Sequence, residues 1–359
     1  MTQQHPVLIM AGGTGGHVYP ALAVAEELRN CGIEVVWMGT HKGIESKLVP
    51  EKQITIDWLG VSGLRGKGFL TLLMAPINLL LACYQAMRIL SRRQPCAVLG
   101  MGGFVSGPGG LMSRIMGKPL LIHEQNAVPG LTNKLLAPLA TRVMEAFPNS
   151  FKRTALHVGN PVRREIAMLA SPQQRFKDRT GPLRLLVFGG SLGAVHLNQV
   201  VPAALAAVTA THALEVKHQT GAKNLQQAQA IYNSLGITAE VVPYIDDMAS
   251  AYAWADLVIC RSGAMTVSEL AAVGLASILV PYPHAVDDHQ TINARYLADH
   301  DAAVLVPQER LTPESLSQIL QSLDRSKLEH MAIQARKLGM PEATRMVAEQ
   351  CLLAGGGQC

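Results

Sequence analysis

His17 closes a glycine run, Gly12-Gly13-Thr14-Gly15-Gly16, that follows the apolar residues 7–10. A strand, a tight glycine turn and a helix start present backbone N–H groups to a phosphate. At such a helix N-terminus an imidazolium is disfavoured, which suits His17 to act as a general base on a hydroxyl. A structural histidine donating to a neighbouring loop is the alternative. The run His123-Glu124-Gln125-Asn126 ends a second apolar segment. Glu124 could be a base or orient one, or brace its loop, and Asn126 could hold a sugar hydroxyl. In Gly159-Asn160-Pro161-Val162-Arg163 the arginine can neutralise a diphosphate leaving group or brace a junction. Ser191, within Gly189-Gly190-Ser191-Leu192-Gly193, can donate to phosphate beside backbone amides. In Arg261-Ser262-Gly263-Ala264-Met265-Thr266-Val267-Ser268-Glu269, Gly263 makes a turn and a helix starts near Ala264. Glu269 lies one to two turns in, where its carboxylate can chelate two ribose hydroxyls. Gln290 and Asn293 are three apart and can grip sugar hydroxyls from one helix face.

These groups need scaffolds that end strands in loops. Three glycine loops do so: the two already described and Gly100-Met101-Gly102-Gly103, after residues 97–99. The pattern predicts an α/β chain of two Rossmann-like, doubly wound parallel-sheet domains facing across a cleft. The first spans residues 1–163 and the second 164–340. Residues 341–359 form a C-terminal helix that could pack back on the first domain. Residues 171–182 read as the best linker, and residues 326–353 as one helical segment.

The bulk numbers exclude several classes. The 359 residues carry a net charge of +5, with 16% charged, no basic tail and few aromatics, which argues against nucleic acid. The six cysteines have no zinc-ligand spacing and read as free thiols in a reducing cytoplasm. The N-terminus runs straight into a strand, with no signal-peptide pattern. The first loop lacks the Lys-Ser/Thr pair of a nucleoside triphosphatase, and no acid follows the second strand to hold an NAD ribose. Asp287-Asp288-His289 does not complete a metal set, so neither metal nor cofactor is expected. Residues 58–123 contain no Asp or Glu but hold Arg65, Lys67, Arg88, Arg92, Arg93, Arg114 and Lys118. Within them the apolar run 69–81 is interrupted by Pro76 and Asn78, too short to span a bilayer but suited to an anionic lipid surface.

Taken together, the motifs resemble the bacterial MurG glycosyltransferase family, from about residue 7 to about residue 350 and in the same order. The resemblance implies the GT-B fold and inverting transfer of N-acetylglucosamine from its UDP donor to the C4 hydroxyl of undecaprenyl-diphosphate-linked N-acetylmuramoyl-pentapeptide. The product is the lipid precursor of peptidoglycan, which ties the family to cell-wall biogenesis, cell shape and division. The enzyme would act as a peripheral protein at the cytoplasmic face of the inner membrane, near an anionic phospholipid surface and other cell-wall and division proteins. The family pattern sets Ser191 and Arg163 near the donor phosphates, Ile245 at the uracil and Glu269 on the ribose. It sets the Ala264 to Glu269 turn beside the diphosphate and Gln290 on the sugar. Thr14, Gly15, Gly16 and Asn126 would complete the site from the first domain. A UDP-N-acetylglucosamine 2-epimerase-like enzyme, or another GT-B transferase, is the competing reading.

Overall fold

The computed structural model describes residues 5–60, 74–151, 154–190, 193–208, 213–357 and 359. It divides into two compact units, Met1–Arg163 with Pro341–Cys359, and Arg164–Met340.

The first unit holds a parallel sheet of β1 (Val7–Met10), β2 (Val35–Gly39), β3 (Thr55–Trp58), β4 (Ala97–Gly100), β5 (Leu120–Glu124), β6 (Arg142–Glu145) and β7 (Leu156–His157). Its order is β3-β2-β1-β4-β5-β6-β7. In register, Val7 of β1 stands opposite Val35 of β2 and Ala97 of β4. Both faces of this sheet are covered, so β1 is a continuous apolar run rather than an alternating one. Val7 and Ile9 face the helix Gly15–Asn30, which supplies Val18, Ala21, Val24, Ala25 and Leu28 at helical spacing. Leu8 and Met10 face the other side, with Ala86, Ile89 and Leu90 of the helix Ala75–Arg93.

The second unit repeats the scheme with β8 (Leu183–Phe188), β9 (Leu214–Gln219), β10 (Glu240–Val242), β11 (Leu257–Cys260), β12 (Ala276–Leu279) and β13 (Ala303–Leu305). All pairings are parallel, in the order β10-β9-β8-β11-β12-β13. One apolar cluster runs from Leu185 and Val187 of β8 to Leu328 and Ala332, and Leu186, Val258, Leu270 and Leu297, outside it, are fully buried as well. Each such buried Leu or Val contributes roughly 1.5–3 kcal/mol relative to exposure.

Four sequence expectations need correcting. Residues 171–182 are no linker: Ser171 caps the helix Pro172–Phe176, and Phe176 is buried in the second core. Arg175 donates to the Val273 and Gly274 carbonyls, while Arg179 and Arg325 converge on the fully buried carboxylate of Asp256. Long-range bonds to carbonyls decide this, and they are invisible in a local polar stretch. Residues 326–353 are two helices, Arg325–Leu338 and Ala343–Gly355, belonging to different units. The break falls at Gly339, where a Cβ would stand 2.5 Å from Ala271 O. The second of these helices adds Val347, Ala348 and Cys351 to the first core. Its end brings Cys359 to Cys96, with Cα atoms 5.5 Å apart, as a disulfide; Cys31, Cys83, Cys260 and Cys351 are thiols. In the basic stretch, Arg92 and Arg93 both pair with Asp57, at 2.5 and 2.8 Å, so their charge is partly neutralised. Residues 61–73, with Arg65, Lys67 and the start of the apolar run, lie outside the described residues. Among the described residues no helix is long and apolar enough to cross a membrane.

Candidate active site

In the first unit the strand order reverses between β1 and β4, and an open sheet offers its crevice outside the carboxyl ends at such a switch point. Both N-terminal glycine loops leave from there. They touch closely: a Cβ on Gly103, at φ +84°, would stand 2.3 Å from Gly12 O. Gly102, at φ +102°, lies against the His17 ring, where a Cβ would stand 2.7 Å from Cε1 and Nδ1. Only glycine allows both the backbone angle and that approach.

His17 begins the helix Gly15–Asn30 and is half-buried. Its Nδ1 lies 2.9 Å from Gln125 Oε1. Gln125 Nε2 in turn lies 3.0 Å from His123 Nδ1 and donates to His123 O at 3.2 Å. His123 Nε2 lies 2.8 Å from Gly159 O. Burial lowers the His123 imidazole to about 4, the bond to Gly159 opposing. The structure thus joins His17 to the run after β5 through Gln125, a residue that sequence reasoning did not single out.

Glu124 is 1% exposed and its two oxygens are occupied. Oε1 accepts from Asn126 N and Nδ2 at 3.0 and 3.3 Å, and Oε2 from Gly130 N and Asn133 Nδ2 at 3.1 and 2.9 Å. This carboxylate ties a loop together and holds Asn126 half-exposed. Sequence reasoning also missed Glu45, which is fully buried. It accepts from Gly13 N at 2.9 Å and from Thr40 N and Oγ1 at 3.0 and 2.7 Å. The Gly13 amide is therefore spent on the protein, and the open part of the first loop is Thr14, Gly15 and Gly16. Arg163, the last residue before the second unit, is half-buried.

In the second unit the order reverses between β8 and β11, which places the third glycine loop beside Arg261, Ser262 and Gly263. Ser191 lies outside the described residues. Gly263 caps the helix Ala264–Val273 with extended backbone, and the first turn carries no acid. The N–H groups of Ala264, Met265 and Thr266 are the ones an α-helix leaves without a helical partner, and they favour an anion. Val267 departs from its assignment: its N–H bonds Gly263 O at 3.0 Å and its side chain is fully buried. Ser268 is half-buried on the same helix. Glu269 is buried, and Tyr252 donates its hydroxyl to Oε2 at 3.0 Å, a partner with no sequence signal.

Arg261 also turns inward. Its guanidinium donates to the Val280 and Pro281 carbonyls at 3.2 and 2.9 Å and to Gln308 Oε1 at 2.5 Å, and burial lowers its pKa. It braces the loop after β12 instead of reaching for a ligand. Asn293 is fully buried and donates to Ser262 O at 3.4 Å, so it does not share an exposed face with Gln290. Gln290 Oε1 accepts from Tyr282 N at 2.9 Å, which leaves the amide NH2 as its donor side. Ile245 is half-exposed just beyond β10.

Known proteins match the chain over nearly its whole length. Residues 7–145 match the glycosyltransferase family 28 N-terminal domain, and residues 184–347 its C-terminal domain. A protein of Cupriavidus pinatubonensis is 52% identical over 351 residues, covering 98% of each chain. One of Nitrosococcus oceani is 53% identical over 355 residues, covering 98% of this chain and 99% of its own. Both are named UDP-N-acetylglucosamine–N-acetylmuramyl-(pentapeptide) pyrophosphoryl-undecaprenol N-acetylglucosamine transferase. The crystal structure of Acinetobacter baumannii MurG superposes with a TM-score of 0.87 at 42% identity, covering 97% of this chain and 99% of its own. The chain belongs to the MurG family of bacterial GT-B glycosyltransferases, within glycosyltransferase family 28.

Proposed function

We propose that this chain transfers N-acetylglucosamine from UDP-N-acetylglucosamine to the C4 hydroxyl of undecaprenyl-diphosphate-linked N-acetylmuramoyl-pentapeptide, with inversion at the anomeric carbon. The donor is α-linked and the product β-1,4, so a single displacement with a general base suffices and no covalent nucleophile is needed. The observation that carries this reading is His17: a half-exposed imidazole at a switch point, held by one ring nitrogen, in a chain matched end to end by these transferases. Glu124, with both oxygens occupied, is the brace, and the base falls to His17.

The donor belongs to the second unit. The open helix start at Ala264, Met265 and Thr266 takes the diphosphate, with Ser191 and Arg163 as further donors to it. Glu269 takes the ribose, the backbone at Ile245 the uracil, and the Gln290 amide NH2 the sugar. Thr14, Gly15, Gly16 and Asn126 complete the site from the first unit.

The acceptor is a membrane lipid, and the first unit has a face that suits a cytoplasmic, peripheral attachment. Ile77, Leu79, Leu80, Leu81 and Tyr84 are exposed on the helix Ala75–Arg93, Leu80 at 70%. Ile115, Leu131 and Leu135 are exposed on two further helices of this unit. Arg88, Arg114, Lys118 and Lys134 supply the positive charge that anionic lipid attracts. Cell-wall and division proteins would be partners of the same membrane-bound enzyme.

Incubation with UDP-N-acetylglucosamine, with and without the lipid acceptor, tests the reading. UDP should appear only with acceptor, alongside the disaccharide lipid. Formation of N-acetylmannosamine without acceptor, as its UDP derivative or, after hydrolysis, as the free sugar, would favour the epimerase reading instead.

A further inference from the structure

We propose that the Gly159 carbonyl, acting through His123 and Gln125, fixes the His17 imidazole in its Nδ1–H tautomer and so aims the Nε2 lone pair at the hydroxyl to be deprotonated. This deepens the reading of His17 as the base and rests on it. Gln125 and His123 are positioning residues.

The direction of every hydrogen in the chain follows from its far end. A carbonyl oxygen only accepts, so His123 Nε2, 2.8 Å from Gly159 O, carries the proton. His123 is fully buried and neutral, with one N–H, so its Nδ1 is a lone pair. Gln125 Nε2 donates one hydrogen to that lone pair at 3.0 Å and the other to His123 O at 3.2 Å. Turning the amide over would set Oε1 against that lone pair and against His123 O, which also accepts from Asn133 Nδ2 at 3.2 Å; acceptor would face acceptor, and the buried Nδ1 would be left without a donor. The amide is thus oriented with Oε1 toward His17 Nδ1, at 2.9 Å. An amide oxygen also only accepts, so His17 Nδ1 carries the ring proton and Nε2 is bare.

The intrinsic preference of a free histidine side chain is the Nε2–H form, which would point a proton where a base needs a lone pair. The hydrogen bond at one ring nitrogen decides the state of the other. Here Gln125 is 1% exposed, so water does not compete for its amide. Gly102 lies close against the ring on the Nδ1–Cε1 side, where a Cβ would come within 2.7 Å. In the reaction the acceptor hydroxyl proton moves to Nε2, and the oxygen's electron pair forms the bond to the anomeric carbon. The electron pair of the broken C1–O bond leaves with UDP. The resulting imidazolium keeps its Nδ1–H on Gln125 Oε1.

Long-range proton–nitrogen NMR on protein with ¹⁵N-labelled histidine reads the tautomer directly, with the His17 signals assigned by their loss in His17→Asn. At a pH where the ring is neutral, the wild-type protein should show Nδ1 protonated and Nε2 bare. A dominant Nε2–H form, or an even mixture, would overturn the proposal without any variant having to fold. In Gln125→Met the tautomers should mix, and kcat should fall about ten-fold or more while KM for UDP-N-acetylglucosamine stays within about two-fold. A folded Gln125→Met protein with wild-type tautomer and kcat would also overturn it. Undiminished turnover in His17→Asn would remove His17 as the base, and with it the catalytic half of the proposal. A mixed tautomer in an enzyme that still needs His17 would remove only the relay.

Discussion

Among the described residues each unit buries one neutral histidine, and the two are put to different ends. His123 in the first and His218 in the second are both lowered to about 4 by burial. His218 lies 2.9 Å from the Tyr232 hydroxyl and 3.1 Å from Asn198 Oδ1, and Asn198 Nδ2 donates to Thr220 O at 3.0 Å. Asn198 Oδ1 can only accept, so His218 donates there from Nε2 and accepts from the phenol at Nδ1. Every member of this chain is buried. It ends at the turn on which the third glycine loop rests, where a Cβ on Gly193 would stand 1.8 Å from Thr220 O. The His123 chain has the same chemistry but ends at His17, which is half-exposed. A buried imidazole is a brace or a relay according to what stands at its outer end.

Substitution should separate the two. His17→Ala is expected to lower kcat by roughly 10²–10⁴-fold, with UDP affinity and folding nearly intact. His218→Leu should do the reverse: it strands the Tyr232 hydroxyl and Asn198 Oδ1, costing about 2–4 kcal/mol of stability in denaturant titrations. Turnover per folded molecule should then stay within a few-fold of wild type. Large loss of turnover in a stable His218→Leu protein would erase the distinction.

Acid should expose what the two have in common. Folded His123 and His218 stay neutral down to about 4, whereas unfolded imidazoles take protons near 6.5. Between those values the unfolded chain binds more protons, so stability is lost as pH falls from about 6.5 toward 4. The loss is up to roughly 3 kcal/mol per histidine. Denaturation curves at pH 7 and pH 5 check this, and curves that coincide would mean that the two rings are accessible in the fold.

Donor binding sharpens the contrast from the second unit. Glu269→Ala should weaken UDP binding by about 1.5–3 kcal/mol through lost charge-assisted bonds, read by calorimetry. Equal affinity in a folded variant would remove Glu269 from the ribose. The smallest effect is expected at the first unit's surface. Neutralising Arg88, Arg114, Lys118 or Lys134 should each cost about 1 kcal/mol of binding to anionic vesicles at low salt. Arg92→Gln should cost less, because Asp57 already pairs with Arg92. Sedimentation that ignores both lipid charge and salt would contradict an electrostatic attachment.

What the sequence made legible was local. A glycine run after an apolar run announces strand, turn and helix, so β1, β4, β8 and the loops after them could be read from single segments. Burial and partnership could not. Val267, Asn293 and Arg261 sit in motifs that look exposed, yet tertiary packing turns them inward. Glu45, Gln125 and Tyr252 act through bonds to residues 32, 108 and 17 positions away, and nothing near them in the chain signals it. The same holds for Cys96 and Cys359, 263 residues apart. Polar residues 171–182 read as linker because the carbonyls that bind Arg175 and Arg179 come from distant elements.

The product of one reaction tests the central claim most directly. Purified protein is given labelled UDP-N-acetylglucosamine and the undecaprenyl-diphosphate-linked N-acetylmuramoyl-pentapeptide, and the glycosidic bond formed is assigned by NMR. Inverting displacement with His17 as base predicts label in the lipid, as a single β-1,4-linked disaccharide. An α-linked product, or no label in the lipid while the donor is consumed, would contradict it.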